Sequence, residues 1–263
     1  MKTTTNLFVL TFLIFLPVTS LADDEVAKQR LRLLEDVYAK LKSGDSFEMV
    51  AQIESEGTPR EIANKYLVLI SGLYRNKFDV RKMLVIGRAG VRFCLRESTR
   101  LAKENPELST QLKGLAKAMA YNLSANVWPG WEEPKQTITE SEVIVGLDLA
   151  RLNYRLAGEL ERDAKVVGNA HWLVGAQHLA LKQTKQAIEH FEKSASQFHD
   201  AQQPEYEHMA LGYLSIAKLT ADSSNAAESD KLATSLSKLK ELGTGDAKFF
   251  AGQLQRVSKF FVK

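Results

Sequence analysis

Past its first two dozen residues, this chain places apolar residues three and four apart in stretch after stretch. That spacing puts them on one side of an α-helix, and it cannot line one face of a strand, where the period is two. Leu34, Val37 and Leu41 recur this way, with Leu31 and Tyr38 on the same side. So do Ala187, Ile188, Phe191, Ala195 and Phe198. Tyr206, Met209, Ala210, Tyr213, Leu214 and Ala217 form a third stripe, and Phe250, Leu254, Val257 and Phe261 a fourth. Alternating β-branched runs bounded by turn pairs are absent, apart from the ambiguous stretch Glu142 to Val145. The fold class read from this pattern is all-α. A chain of this kind either stacks antiparallel hairpins into an α-solenoid or closes into an irregular bundle, and both stay open here.

Capping chemistry divides the pattern into elements. Ser43-Gly44 ends the first helix, which opens near Asp24, and Asp45 or Ser46 opens a short one through Ile53. Thr58-Pro59 opens the next, running to Arg75; Asp79 caps another that reaches Lys103. Asn105-Pro106 stops it and opens a helix to Asn126. Val127 to Pro134 is the conspicuous loop, where two prolines and a glycine forbid regular structure. Thr139 with Glu142 reads as a capping box opening a helix to Asp163. Helices are then expected over 165–182, 185–199, 205–220, 224–242 and 246–261.

Met1 to Ala22 is different. Lys2 precedes a ten-residue run, Leu7 to Leu16, that is apolar except for Thr11. Pro17 breaks it, and Ser20-Leu21-Ala22 offers the small residues a signal peptidase reads. The run is about half of what a membrane-spanning helix needs. The expectation is therefore a cleaved signal peptide over 1–22 and a periplasmic or secreted product without a stable membrane anchor. The remainder divides into 23–134, helical hairpins ending at the Trp/Pro loop, and 135–263, a helical repeat region. With 44% hydrophobic residues and a formal charge of +3, the chain can build a core but lacks the basic excess of a nucleic-acid binder. Cys94 is the sole cysteine, which excludes an internal disulfide and a cysteine-based zinc cluster. Between Phe93 and Leu95 it reads as a small buried hydrophobe.

Two glycines sit in mid-helix 37 residues apart, Gly175 and Gly212. Glycine there costs up to about 1 kcal/mol against alanine. It persists where a neighbouring helix packs too close for a Cβ. Around Gly175 stand Val174 one before, Ala187 twelve after, Phe191 sixteen after and Ser194 nineteen after. This pattern resembles the tetratricopeptide repeat family, which places large apolar, alanine, aromatic and alanine residues at those offsets. His171 and His178 depart from the bulky or aromatic residues the family has there. The second repeat, around Gly212, is degenerate, with Ser215 in an aromatic position and an insertion near Asp222. The resemblance covers about 75 residues and implies hairpins stacked as an α-solenoid. The earlier hairpins share the layout without the signature.

The resemblance also implies a groove lined by the first helix of each hairpin. Its candidate residues are Asn169, Trp172, Ala176 and Leu179 in one repeat and Tyr206, Met209, Tyr213 and Ile216 in the next. Trp172 and Ala176 stand where some family members carry a lysine and asparagine set for a peptide carboxylate, which disfavours that mode. Trp128 and Trp131 form a second candidate site in the loop: they either cover the end of the core or make an exposed aromatic contact. The expected role is an exported, non-catalytic scaffold or binding module for a protein or peptide partner. A carrier of a small apolar ligand, or a transporter accessory subunit, is the alternative, and an enzyme without a recognisable motif is a further one.

No nucleophile elbow, phosphate loop or dinucleotide fingerprint is present, and no cofactor is expected. Gly87-Arg88-Ala89-Gly90 falls within a helix and reads as a close-packing element. Glu159, Glu161 and Asp163 are at solvent-facing positions. All five histidines lie beyond residue 170; His171 and His178 are two turns apart, ~10.5 Å along the axis, too far to share a metal. They are expected to pack between helices or lie at the surface, and no metal site is expected.

Overall fold

Seven of the helices begin at a side chain that accepts a hydrogen bond from one of their free backbone N–H groups. Thr58 and Thr139 form full capping boxes with Glu61 and Glu142. Asp79, Asn105, Asp163, Asn225 and Thr244 each accept from a backbone N–H three residues on. A computed structural model describes residues 22–44, 46–131 and 137–262. Among them are eleven α-helices and no strand: α1 (Ala22–Ser43), α2 (Ser46–Glu54), α3 (Pro59–Arg75), α4 (Val80–Leu101), α5 (Pro106–Asn126), α6 (Glu140–Glu159), α7 (Ala164–Ala180), α8 (Thr184–Asp200), α9 (Pro204–Ala221), α10 (Ala226–Leu242) and α11 (Gly245–Phe261). The expected signal segment lies outside the described residues, apart from the backbone of Ala22. The 134/135 boundary also lies outside them.

From α3 to α10 each helix packs chiefly against a neighbour in sequence, whereas α1 packs chiefly on α3 and α11 on α9; α3, α5 and α7 also touch in series. The molecule is thus an all-α stack of helical hairpins, an α-solenoid. The turns repeat as well. Glu161, Lys182 and Gln202 all adopt positive φ, and the backbone N–H of the following residue bonds a carbonyl five residues back: Arg162 to Ala157, Gln183 to His178, and Gln203 to Phe198. The same helix-terminating turn therefore recurs three times, though the sequence signature marks only one repeat well.

Two apolar cores run along the stack. The first is built from Leu34 through Leu156 and the second from Ala125 through Val257. They meet along α5 and α6, each of which contributes to both. Met119 and Leu149 face the first core; Ala125 and Ala150 face the second.

Four mid-helix glycines, Gly87, Gly90, Gly175 and Gly212, sit at close approaches. A Cβ on Gly175 would lie 2.8 Å from Cε1 of Phe191, its partner in the hairpin. A Cβ on Gly212 would lie 2.4 Å from Leu254 of α11 instead. The two positions, equivalent in sequence, therefore serve different interfaces: one within a hairpin and one between successive inner helices. Gly87 and Gly90 do the same for Leu123 and Tyr66, at 2.3 Å and 2.7 Å.

The expected boundaries hold to within a few residues, with three corrections. The Trp/Pro loop contains a 3-10 turn, Pro129–Trp131, because a single proline-led turn needs no longer run of backbone bonds. The Glu142 to Val145 stretch is helical, held by its capping box. α6 ends at Glu159 rather than Asp163, which instead caps α7.

Candidate functional site

The inner helices α5, α7, α9 and α11 converge beside the Trp131 turn on a small aromatic cleft of about 30 Å³. Tyr121, Trp131, Asn169 and Phe249 are half-buried and form its rim. Trp172, Tyr206, Met209, Phe250 and Gln253 are buried and form its floor, with Ala125. α11 closes the site because Phe261 stacks on Trp128, ring centroids 5.9 Å apart and planes at 24°. The last helix thereby meets the loop that follows α5, and the inner face curls into a cleft rather than an open trough.

Four of the eight residues read as groove-lining, Asn169, Trp172, Tyr206 and Met209, share this cleft. The other four do not reach it. Ala176, Leu179, Tyr213 and Ile216 are fully covered by neighbouring helices and lie within the core. The two loop tryptophans divide in the same way. Trp131 stands on the rim, while Trp128 is 1% exposed and belongs to the core. Each is pinned by its indole N–H, Trp131 to the carbonyl of Ala125 at 2.6 Å and Trp128 to that of Ala176 at 2.8 Å. The loop therefore covers the end of the core and also presents one ring to the cleft.

Sequence reading missed Tyr121 and Ala125 of α5 and Phe249 and Gln253 of α11. Tyr121 and Ala125 share one helix face at four-residue spacing, but nothing in a single sequence says that α5 faces α11. Phe249 is the better signal, because a second phenylalanine beside Phe250 exceeds what the one-sided stripe of α11 requires.

The cleft is lined by aromatic rings with a few polar groups of both donor and acceptor type. Tyr206 donates its hydroxyl to Oδ2 of Asp246 at 3.2 Å, and Nζ of Lys165 rests 4.4 Å above the Tyr206 ring. Oε1 of Gln253 is buried without a donor, and the Nε1–H of Trp172 is buried without an acceptor. Asn169 donates Nδ2 to the carbonyl of Lys165 at 3.0 Å. Burial pushes the Tyr121 hydroxyl up to about 12, and burial with the Asp246 carboxylate pushes that of Tyr206 higher still, so both stay neutral donors.

A second cluster lies on the α7–α8 seam. Nδ1 of His171 and Nδ1 of His190 are 3.1 Å apart, one nitrogen donating and the other accepting. His178 stacks on His190 with centroids 5.7 Å apart and donates Nδ1–H to Oε1 of Gln183 at 2.6 Å. Tyr154 covers His171, with centroids 4.5 Å apart. Two turns separate His171 from His178 on one helix, and His190 of the next helix touches both. Burial holds His171 and His190 down at about 4 and lowers His178, so all three are neutral at pH 7. Among the described residues, no group of three or more His, Cys, Asp or Glu is placed to hold a metal ion. None of the described helices is long and apolar enough to cross a membrane.

No protein-family model matches the chain, and no curated protein matches it.

Proposed function

We propose that this protein is an exported, non-catalytic binding module of tetratricopeptide-like build, and that it holds a peptide segment of a partner protein at the aromatic cleft. One observation carries the reading: residues as far apart as Tyr121 and Phe250, 129 positions, bring five aromatic rings of four helices and a sixth from the Trp131 turn to a single opening. Large aromatics at a concave opening are the side chains that dominate protein recognition. The tetratricopeptide-like reading draws support from the Gly175–Phe191 contact and from the recurring turns. The non-catalytic reading draws support from the chemistry of the rim and floor, whose only titratable side chains are two tyrosines held neutral by burial.

Peptides selected from a random library against the full chain test this reading. Enriched sequences should lose about tenfold or more in affinity for Trp131→Ala and for Phe249→Ala, as removal of an aromatic anchor does. They should be unaffected by Phe47→Ala, since Phe47 is 89% exposed on α2, outside the cleft. Peptides indifferent to both rim substitutions would overturn it.

The export reading rests on Met1 to Ala22. A secreted or periplasmic product whose amino terminus is Asp23 is the expected result, and a product that retains Met1 in the cytoplasm sinks it. A small-ligand carrier is the second reading, favoured by the modest volume of the cleft. It requires a metabolite that raises the melting temperature in wild type and fails to do so in Trp131→Ala.

A further inference from the structure

We infer that the cleft selects a primary ammonium group, with a lysine side chain of the partner as the source the peptide reading requires; the inference rests on that reading and specifies its chemistry. Two features agree. The walls carry the aromatic rings of Trp131, Trp172, Tyr206 and Phe249, and the face of one of them, Tyr206, already holds a cation; aromatic faces attract cations. Lys165, on the Tyr206 ring, is the basic side chain at the opening, and the Asp246 carboxylate stands at the same edge. The floor supplies an oxygen that lacks a donor, Oε1 of Gln253, on a side chain 2% exposed. A buried acceptor left without a partner is costly, about 1–3 kcal/mol, and an N–H of an entering ammonium would satisfy it.

The molecule already places an ammonium on one of these rings, Lys165 on Tyr206. Asp246, bonded to the Tyr206 hydroxyl, adds negative charge at the same edge. Lys165 therefore marks the preference of the site and competes with an incoming cation for it. This sets a sign that other occupants do not share. Removing Lys165 strengthens an ammonium ligand, weakens an anionic one, and leaves an uncharged one unchanged. The small cleft has room for a primary ammonium head group; a bulky quaternary group would have to open the rim.

The experiment compares n-butylammonium with butan-1-ol, which keeps the chain and the hydrogen-bond donor but has no charge. Binding to the full chain is followed by tryptophan fluorescence, since Trp131 and Trp172 line the site. Butylammonium should bind about fivefold or more tightly than the alcohol, within the range of a partly desolvated cation–π contact. Lys165→Met should tighten butylammonium about threefold or more and leave the alcohol unchanged. Gln253→Leu should reduce that preference; if this buried variant does not fold, Lys165→Met alone decides. An alcohol that binds as well as the ammonium, or no gain in Lys165→Met, overturns the inference. If the alcohol binds and Trp131→Ala abolishes its binding, the cleft reading survives that outcome; if neither probe binds the cleft, both readings fall. A capped Gly-Lys-Gly peptide identifies the source. Tighter binding than butylammonium assigns a partner's lysine; equal or weaker binding with the ammonium preference intact assigns a free amine and overturns the peptide part of the inference.

Discussion

The indole of Trp128 donates its N–H to the backbone carbonyl of Ala176, 48 residues away, at 2.8 Å. One partner belongs to the loop and the other to the inner helix α7, so the two candidate sites in the sequence form one unit. The Trp128 ring also stacks on Phe261 and lies 5.9 Å from Tyr213, which joins the loop to α9 and α11. Trp128→Phe keeps an aromatic ring but loses the donor and part of the packed surface. It should destabilise the protein by about 1–3 kcal/mol. Urea unfolding measures this, and an unchanged midpoint would mean that the loop does not hold α11 in place.

Glycine substitutions should split by interface. Gly175→Ala pushes a Cβ against the buried ring of Phe191, and Gly212→Ala pushes one against Leu254. Both neighbours are fully packed, so each variant should lose about 1–3 kcal/mol through overpacking. Gly158→Ala, near the end of α6, meets nothing within 4 Å. It should instead gain about 0.5–1 kcal/mol, because alanine loses less backbone freedom on folding. Thermal unfolding of the three variants checks the signs.

The histidine seam makes stability depend on pH in a definite window. His171 and His190 are held at about 4, and His178 is also lowered, by burial in the fold. In the unfolded chain they titrate near 6.5. Between those values the unfolded state binds protons that the native state does not. Stability is therefore full above pH 6.5 and falls as pH drops toward 4. Glu189 and Lys193 of α8 and Arg151 of α6 are the charged groups that act on the seam, with opposing signs. The affected carboxylates, among them Glu61, Glu97 and Glu228, are all lowered below 4.5, so they act below this window. The melting temperature should drop by several degrees between pH 7 and pH 5, and His190→Gln should flatten that slope. A wild-type slope that persists unchanged in His190→Gln would remove the seam as its cause.

The architecture was legible because its signals are local. Thr58, Thr139 and Asp163 announce helix starts through bonds to residues three positions on, and Phe191 and Phe198 announce a buried face through spacing alone. The cleft was half legible. Trp172, Tyr206 and Met209 were marked by their place in the repeat-like sequence pattern, whereas Tyr121 and Gln253 join them only because α11 curls back to Trp128. That approach depends on the summed rotation of successive hairpins, which no local pattern encodes. The same limit explains His190, whose contact with both His171 and His178 is set by the pitch between α7 and α8.

All three tryptophans belong to the second core, and Cys94 belongs to the first. The thiol is fully buried and pushed up to about 12 by burial, so it reacts only when the first core opens. Tryptophan fluorescence and thiol reactivity thus report on opposite ends of one stack. In a solenoid each unit is stabilised mainly by its neighbours, and strain at one end need not open the other. Gly212→Ala strains the α9–α11 contact, where its Cβ meets Leu254. Its fluorescence transition should therefore move to lower urea by more than the transition seen by Cys94 labelling, leaving a range in which the tryptophans are exposed and the thiol is still protected. In the wild-type protein the gap should be narrower, because α5 and α6 carry residues of both cores and couple them. Coincident shifts of both probes in Gly212→Ala would show instead that the two cores unfold as one cooperative unit.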